Sequence, residues 1–135
     1  MKQLLYLATL ALTLGFAAPA SAQDEAAFKK LMKEAGGANG RVRKALEGGK
    51  TDGVQKDAER IATLFTEMGK WWETKKVMDA TKWSKEASDA AQAVATAAKG
   101  SDLDKIKQAH GAFMKSCKSC HEAHREKVGD EYKIK

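Results

Sequence analysis

Cys117-Lys118-Ser119-Cys120-His121 places two thiols three residues apart, with an imidazole directly after them. Such a run can do three kinds of chemistry. The thiols can form a thiol–disulfide redox pair. Together with His124 and His121 they can offer a Cys₂His₂ ligand set to a metal ion. As a Cys-x-x-Cys-His signature, they can take up the two vinyl groups on one edge of a porphyrin while the histidine binds iron from one face. Redox dithiols usually sit at a helix N-terminus near a βαβ unit, whereas this pair lies deep in the last helix of an all-α chain. A single helix rarely wraps a tetrahedral ion with four of its own side chains, and the usual long separation between ligand pairs is missing. The run therefore reads first as covalent attachment of one haem c. Cys117 and Cys120 would form the thioethers, and His121 would be the proximal iron ligand. No acid–base or nucleophile constellation accompanies it, so the chain does not read as an enzyme.

The elements that carry this run are helical. The chain has 135 residues, and Met1-Lys2-Gln3 followed by apolar Leu4 to Phe16 and Ala20-Ser21-Ala22 has the form of a secretory signal peptide. Residues 1–22 are expected to be that signal and 23–135 one domain, exported to a periplasm. The apolar run is short of the ~20 residues that span a bilayer. Beyond the signal there are eighteen Ala, five Val, three Ile and no proline. That composition favours helix over sheet. Removing Lys2 leaves 23 basic against 18 acidic residues, or +5. This favours acidic protein partners through electrostatic steering. Basic and acidic residues are interleaved, which argues against nucleic acid.

Four amphipathic stretches follow one another. The first, Asp24–Glu47, places Phe28, Leu31, Met32, Ala35, Ala38, Val42, Ala45 and Leu46 on one face and ends at Gly48-Gly49. Its internal Gly36, Gly37 and Gly40 imply either a bent helix or close approach of a neighbouring helix or flat ligand. The second face runs from Val54 through Ile61 and Phe65 to Trp72, with Thr51 or Asp52 as cap. The third runs from Trp83 to Ala98, is rich in alanine, and has Gly100 as its stop. The fourth starts at a Ser101 cap and carries Leu103, Ile106, His110, Phe113, Cys117, Cys120, His121, His124 and Val128. Short connections between such faces imply an all-α antiparallel four-helix bundle. The stretch Gly69–Lys82 shows no clear break between helices two and three, and 130–135 is expected to fray.

A signal peptide, four helices and one Cys-x-x-Cys-His near the C-terminus resemble the cytochrome c′ family, the class II c-type cytochromes. Cys117-x-x-Cys120-His121-x-x-x-Arg125 is similar to the family's attachment motif. Trp83 resembles the tryptophan that opens its third helix, and Leu31-Met32-Lys33 resembles the first-helix stretch facing the distal side of the haem. The likeness covers essentially all of 23–128. There are departures: Phe28 stands where members often carry arginine, His124 where an aromatic is common, and the second connection lacks the usual prolines.

The resemblance implies that function turns on the iron position opposite His121. In most members an apolar side chain blocks it, and the five-coordinate iron takes up NO or CO. In a low-spin branch a first-helix methionine fills it, and the protein carries single electrons. Met32 matches that methionine and is the expected distal ligand, which makes the chain an electron carrier between periplasmic redox partners; the five-coordinate gas binder is the alternative. Met68, Met78 and Met114 read as packing residues. Arg125 is a candidate propionate contact and His124 a neighbour of the haem edge. At ~1.5 Å rise per residue, His110 lies roughly 16 Å from His121, too far to bind the same iron. Bundles of the family often pair, which leaves a homodimer open.

Overall fold

The computed structural model describes residues 20–135, so the expected signal segment lies outside the described residues except for its last three positions. Four helices follow in order: α1 Ala20–Glu47, α2 Val54–Thr74, α3 Met78–Lys99 and α4 Leu103–His124. A two-stranded hairpin, β1 Arg125–Val128 and β2 Glu131–Ile134, closes the chain. Successive helices pack side by side, α1 on α2, α2 on α3 and α3 on α4, whereas α1 and α4 barely touch. The bundle is thus closed on three seams and open on the fourth.

Burial follows the helical periodicity. Phe28, Ala35, Ala38, Val42 and Leu46 are buried on α1, as are Val54, Ala58, Ile61, Ala62, Met68 and Trp72 on α2. Leu64 also points inward and is fully buried. The alanine stripe of α3 lets its neighbour come close: a Cβ on Gly69 of α2 would meet Ser84 Cβ at 3.4 Å. The core divides into two clusters. One joins Val42, Leu46, Ile61, Val94, Ile106 and Phe113. The other joins Phe28, Leu64, Met68, Trp72 and Ala80 at the opposite end. Cys117 packs against the first and Cys120 against the second, so the Cys-x-x-Cys-His run lies where the clusters meet.

The helix ends correct several sequence expectations. α1 does stop at Gly48-Gly49: Gly49 takes φ +67, with Lys50 N–H donating to Ala45 O and Gly49 N–H to Leu46 O. That is a Schellman ending. The same bonds end α2, where Val77 N–H reaches Trp72 O and Lys76 N–H reaches Glu73 O. Here the left-handed residue is Lys76, φ +58, so no glycine marked the turn. α2 is preceded by Gly53, not capped by Thr51 or Asp52, and α4 is capped by Asp102, whose carboxylate accepts from Lys105 N–H. Ser101 instead holds the left-handed position after α3, and Gly100 stays right-handed.

A non-glycine residue in the left-handed region costs about 1 kcal/mol or more. Lys76→Gly is therefore expected to raise stability by about 1 kcal/mol, a Tm increase of roughly 4 °C for a chain of this size. Thermal unfolding of the haem-loaded protein measures it, and a fall in Tm contradicts the Schellman assignment.

The C-terminus is folded back, not frayed. α4 stops at His124, and Val128, expected on its face, lies exposed in β1. Gly129, φ +62, takes the first central position of a two-residue turn, the place a type II′ hairpin reserves for glycine. Ile134 packs on the cluster of Phe28 and Trp72, and Lys135 N–H donates to His124 O at 3.1 Å.

Candidate cofactor site

The open α1–α4 seam holds a cavity of about 370 Å³. α1 contributes Phe28, Lys29, Met32, Lys33 and Gly36, spaced as one helical face. α2 contributes Phe65, Met68 and Trp72, and α3 Trp83 and Ser84. α4 contributes Ser116, Cys117, Cys120, His121 and His124, and the hairpin adds Arg125, Tyr132, Lys133 and Ile134. A second cavity of about 290 Å³ adjoins it, lined by Met32, Gly36, Phe65, Phe113, Cys117 and His121 among others. Met32, Cys117 and His121 belong to both. The structure thus brings together five predicted residues, Met32, Cys117, Cys120, His121 and Arg125, around one space.

The glycine question in α1 resolves by position. A Cβ built on Gly36 or Gly40 meets nothing within 4 Å, so no neighbouring helix crowds them. Gly36 lies on the wall of both cavities, one turn beyond Met32, where a missing side chain leaves room for a flat ligand.

Electrostatics bear on the dithiol reading of the cysteines. Burial raises the Cys117 thiol above its ordinary value. Burial, with Asp79 and Cys117 nearby, pushes Cys120 up to about 11. A reactive redox dithiol carries the opposite shift. Among the described residues no cluster of three or more His, Cys, Asp or Glu is placed to hold a metal ion. Burial, then Arg125, lowers His121 below the usual histidine range, which leaves the imidazole neutral near pH 7. Neutral imidazole is the form that binds iron.

The other histidines and methionines sort by place. His110 lines neither cavity. It pairs with Asn39 Oδ1 at 2.8 Å, and burial, then Arg43, lowers its pKa. Met68 lines the larger cavity and is buried, whereas Met78 is 77% exposed and packs against little. That corrects the expectation of Met78 as a packing residue: it stands at the first position of α3, before the apolar face begins. Met114, partly exposed, lies 3.3 Å from Asn39 Nδ2. Trp71 donates to Asp24 Oδ1 at 2.9 Å and stacks near Phe28, the residue that stands in the arginine position.

Asp79 escaped the sequence reading. Its carboxylate oxygens both lie 3.0 Å from His124 Nε2, joining the start of α3 to the end of α4. Burial works to raise its pKa, but the bonds from His124 and from Ala80 N–H outweigh that and hold it below the usual carboxylate range. No spacing rule links Asp79 to His124; only the fold does. Tyr132 and Ile134 were missed with the hairpin, whose signal was Gly129-Asp130 between alternating residues.

The walls suit a flat, apolar group that carries carboxylates. Lys29, Lys33, Arg125 and Lys133 line the larger cavity and no Asp or Glu does. In the wall between His124 and Phe28, the buried Trp72 Nε1–H has no hydrogen-bond partner among the described residues.

A bundle open along one seam, with Cys-x-x-Cys-His facing into the opening, has the form of a site for one covalently attached haem c. A family model described as cytochrome c′ matches residues 70–125, from the end of α2 through the attachment run. The fold is similar to the crystal structure of cytochrome c′ from Thermochromatium tepidum, with a TM-score of 0.69 and 19% identity over 88% of this chain and 100% of that one. No curated protein matches the chain. Residues 70–125 are thus similar to the cytochrome c′ family, whose cofactor is covalently bound haem c, and the bundle shares that fold.

Proposed function

We propose that the chain is an exported electron carrier in which Cys117 and Cys120 hold haem c through thioethers, His121 is the proximal iron ligand and Met32 the distal one. The observation that carries the reading is shared lining: Met32 from α1 and His121 from α4 border both cavities. Met32 is also the one soft donor on the α1 stripe of Phe28, Lys29, Met32, Lys33 and Gly36. Bound haem supplies a one-electron ferric–ferrous couple, and methionine–histidine ligation raises its potential. The residues of the chain attach it, fix its orientation and exclude water. Arg125 is the candidate propionate contact, a reading supported by its position in the cavity lining, with its guanidinium 4.3 Å from the Tyr132 ring centroid. The signal-like segment 1–22 supports delivery to the periplasm. No described helix is long and apolar enough to cross a membrane.

The visible spectrum of the ferric and ferrous protein tests the ligation. Low-spin iron in both states supports the carrier. A high-spin ferric spectrum with rapid CO uptake moves the assignment to five-coordinate NO or CO binding.

The carrier reading also predicts a salt effect. The +5 charge expected after signal removal and the cationic rim of Lys29, Lys33 and Lys133 favour acidic partners. Two propionates lower the net charge by up to two, so the effect is modest. Electron exchange with an acidic protein is expected to slow as salt rises, since the Debye length falls to about 10 Å at 0.1 M. Stopped-flow rates that do not change with salt contradict steering.

A further inference from the structure

We propose that the C-terminal hairpin is a cap over the haem cavity, that His124 is the positioning residue that locks it through Asp79 and Lys135, and that this cap sets the exposure of the haem to water. The inference rests on haem occupying the α1–α4 cavity, but not on which side chain fills the sixth iron position.

The helices alone leave the cavity without a wall on one side, because α1 and α4 barely touch. Tyr132, Lys133 and Ile134 of β2 add to the lining of that cavity, beside Phe28 and Trp72. Ile134 is the one half-buried residue of an otherwise exposed hairpin, and it packs on the cluster of Phe28, Met68 and Trp72. An isolated two-stranded hairpin is marginal in water at best, so this one needs external anchors. It has three. Lys135 N–H donates to His124 O at 3.1 Å. The His124 ring lies between Trp72 and Trp83, at 5.1 and 6.0 Å between centroids. Its Nε2 meets the Asp79 carboxylate at 3.0 Å, while Nδ1 faces Lys135 O at 3.4 Å. One imidazole at the end of α4 therefore ties the start of α3 to Lys135, directly after β2.

The consequence follows from haem electrostatics. The ferric site carries one more positive charge than the ferrous site, so water and a higher dielectric favour the ferric form and lower the potential. Covering the haem edge with Ile134 and Tyr132 does the reverse. Thioether attachment keeps haem in place when the cover is removed, so the effect can be read on the holoprotein.

The test compares the haem-loaded wild type with Ile134→Asn, Asp79→Asn, Asp79→Glu and a chain ending after Arg125. Reduction potential is measured by redox titration, and haem exposure by the solvent dependence of the Soret band. Ile134→Asn and the truncation, neither of which changes the net charge, are expected to shift the potential downward and make the Soret band more solvent-sensitive. Asp79→Asn should make the Soret band more solvent-sensitive by less, and Asp79→Glu, which keeps the carboxylate, should restore it in part. If the potential and Soret response stay at wild-type values while Tm falls, the hairpin is only a structural tail and the proposal is overturned. Should the truncated chain not fold, the three point substitutions at Ile134 and Asp79 decide alone. A high-spin wild-type spectrum rejects the electron-carrier reading but leaves this comparison intact, so the two failures are distinguishable.

Discussion

Cys117→Ala/Cys120→Ala is expected to yield a chain that retains no haem on a denaturing gel and no longer folds as a cooperative bundle. The first effect is chemical: with both thiols gone, neither thioether can form, and His121 alone would hold the group only reversibly. The second is energetic. Without haem, the apolar walls of the open cavity of about 370 Å³ face water, and a small domain has only about 5–15 kcal/mol of stability to lose. The open α1–α4 seam has little protein contact to offset the loss. Haem staining after denaturation and far-ultraviolet circular dichroism read the two effects separately. His121→Ala should differ in kind: haem stays attached while the iron coordination changes, and His110→Ala should leave the spectrum nearly unaltered. Haem extracted by acid–acetone from intact wild type, or a zinc-loaded, haem-free wild type from a host competent in haem attachment, contradicts the assignment.

Much of this site was legible because it depends on local spacing. Cys117, Cys120 and His121 are neighbours in sequence, and an α-helix necessarily puts them on adjoining faces. The inward stripes of α1 and α2 were legible for the same reason, since Phe28, Ala35, Val42, Ile61 and Trp72 repeat at helical intervals. What sequence did not show depends on tertiary placement or on residues acting against their propensity. Lys76 makes a left-handed turn that glycine normally makes, so the α2–α3 break carried no mark. Ser101 does the same after α3, which displaced the expected cap by one residue. The hairpin alternates mostly polar residues with both faces exposed, so its strands lacked the apolar alternation that signals a buried face. Its stability comes from Ile134 and His124 contacts across the fold. Asp79 meets His124 over 45 positions of chain, a separation at which no periodicity operates.

Met32→Ala is expected to turn a low-spin ferric iron high-spin, remove the methionine–iron charge-transfer band and open the reduced protein to CO. Met32 is half-buried beside Leu31 and Phe65, and it faces the space that His121 faces from the other side of the seam. An ordinary packing methionine would fill a gap and could be replaced with small spectral effect. A ligating one competes with every incoming molecule for the iron. Even a sulfur–iron bond worth only about 3 kcal/mol would hold the CO affinity down by roughly a hundredfold. That is the size of the gain expected in the alanine variant. Filling the sixth position in both oxidation states also limits the rearrangement that accompanies electron exchange, so Met32→Ala should slow exchange even with haem fully attached. Met68→Ala provides the contrast: Met68 lines the same cavity but is buried on α2, so it should lower stability without changing spin state. Spectra and CO titrations of the three proteins decide between the roles. If wild type is already high-spin and takes up CO as readily as Met32→Ala, then Met32 caps the distal face without binding iron, and the chain is a gas-binding cytochrome c′.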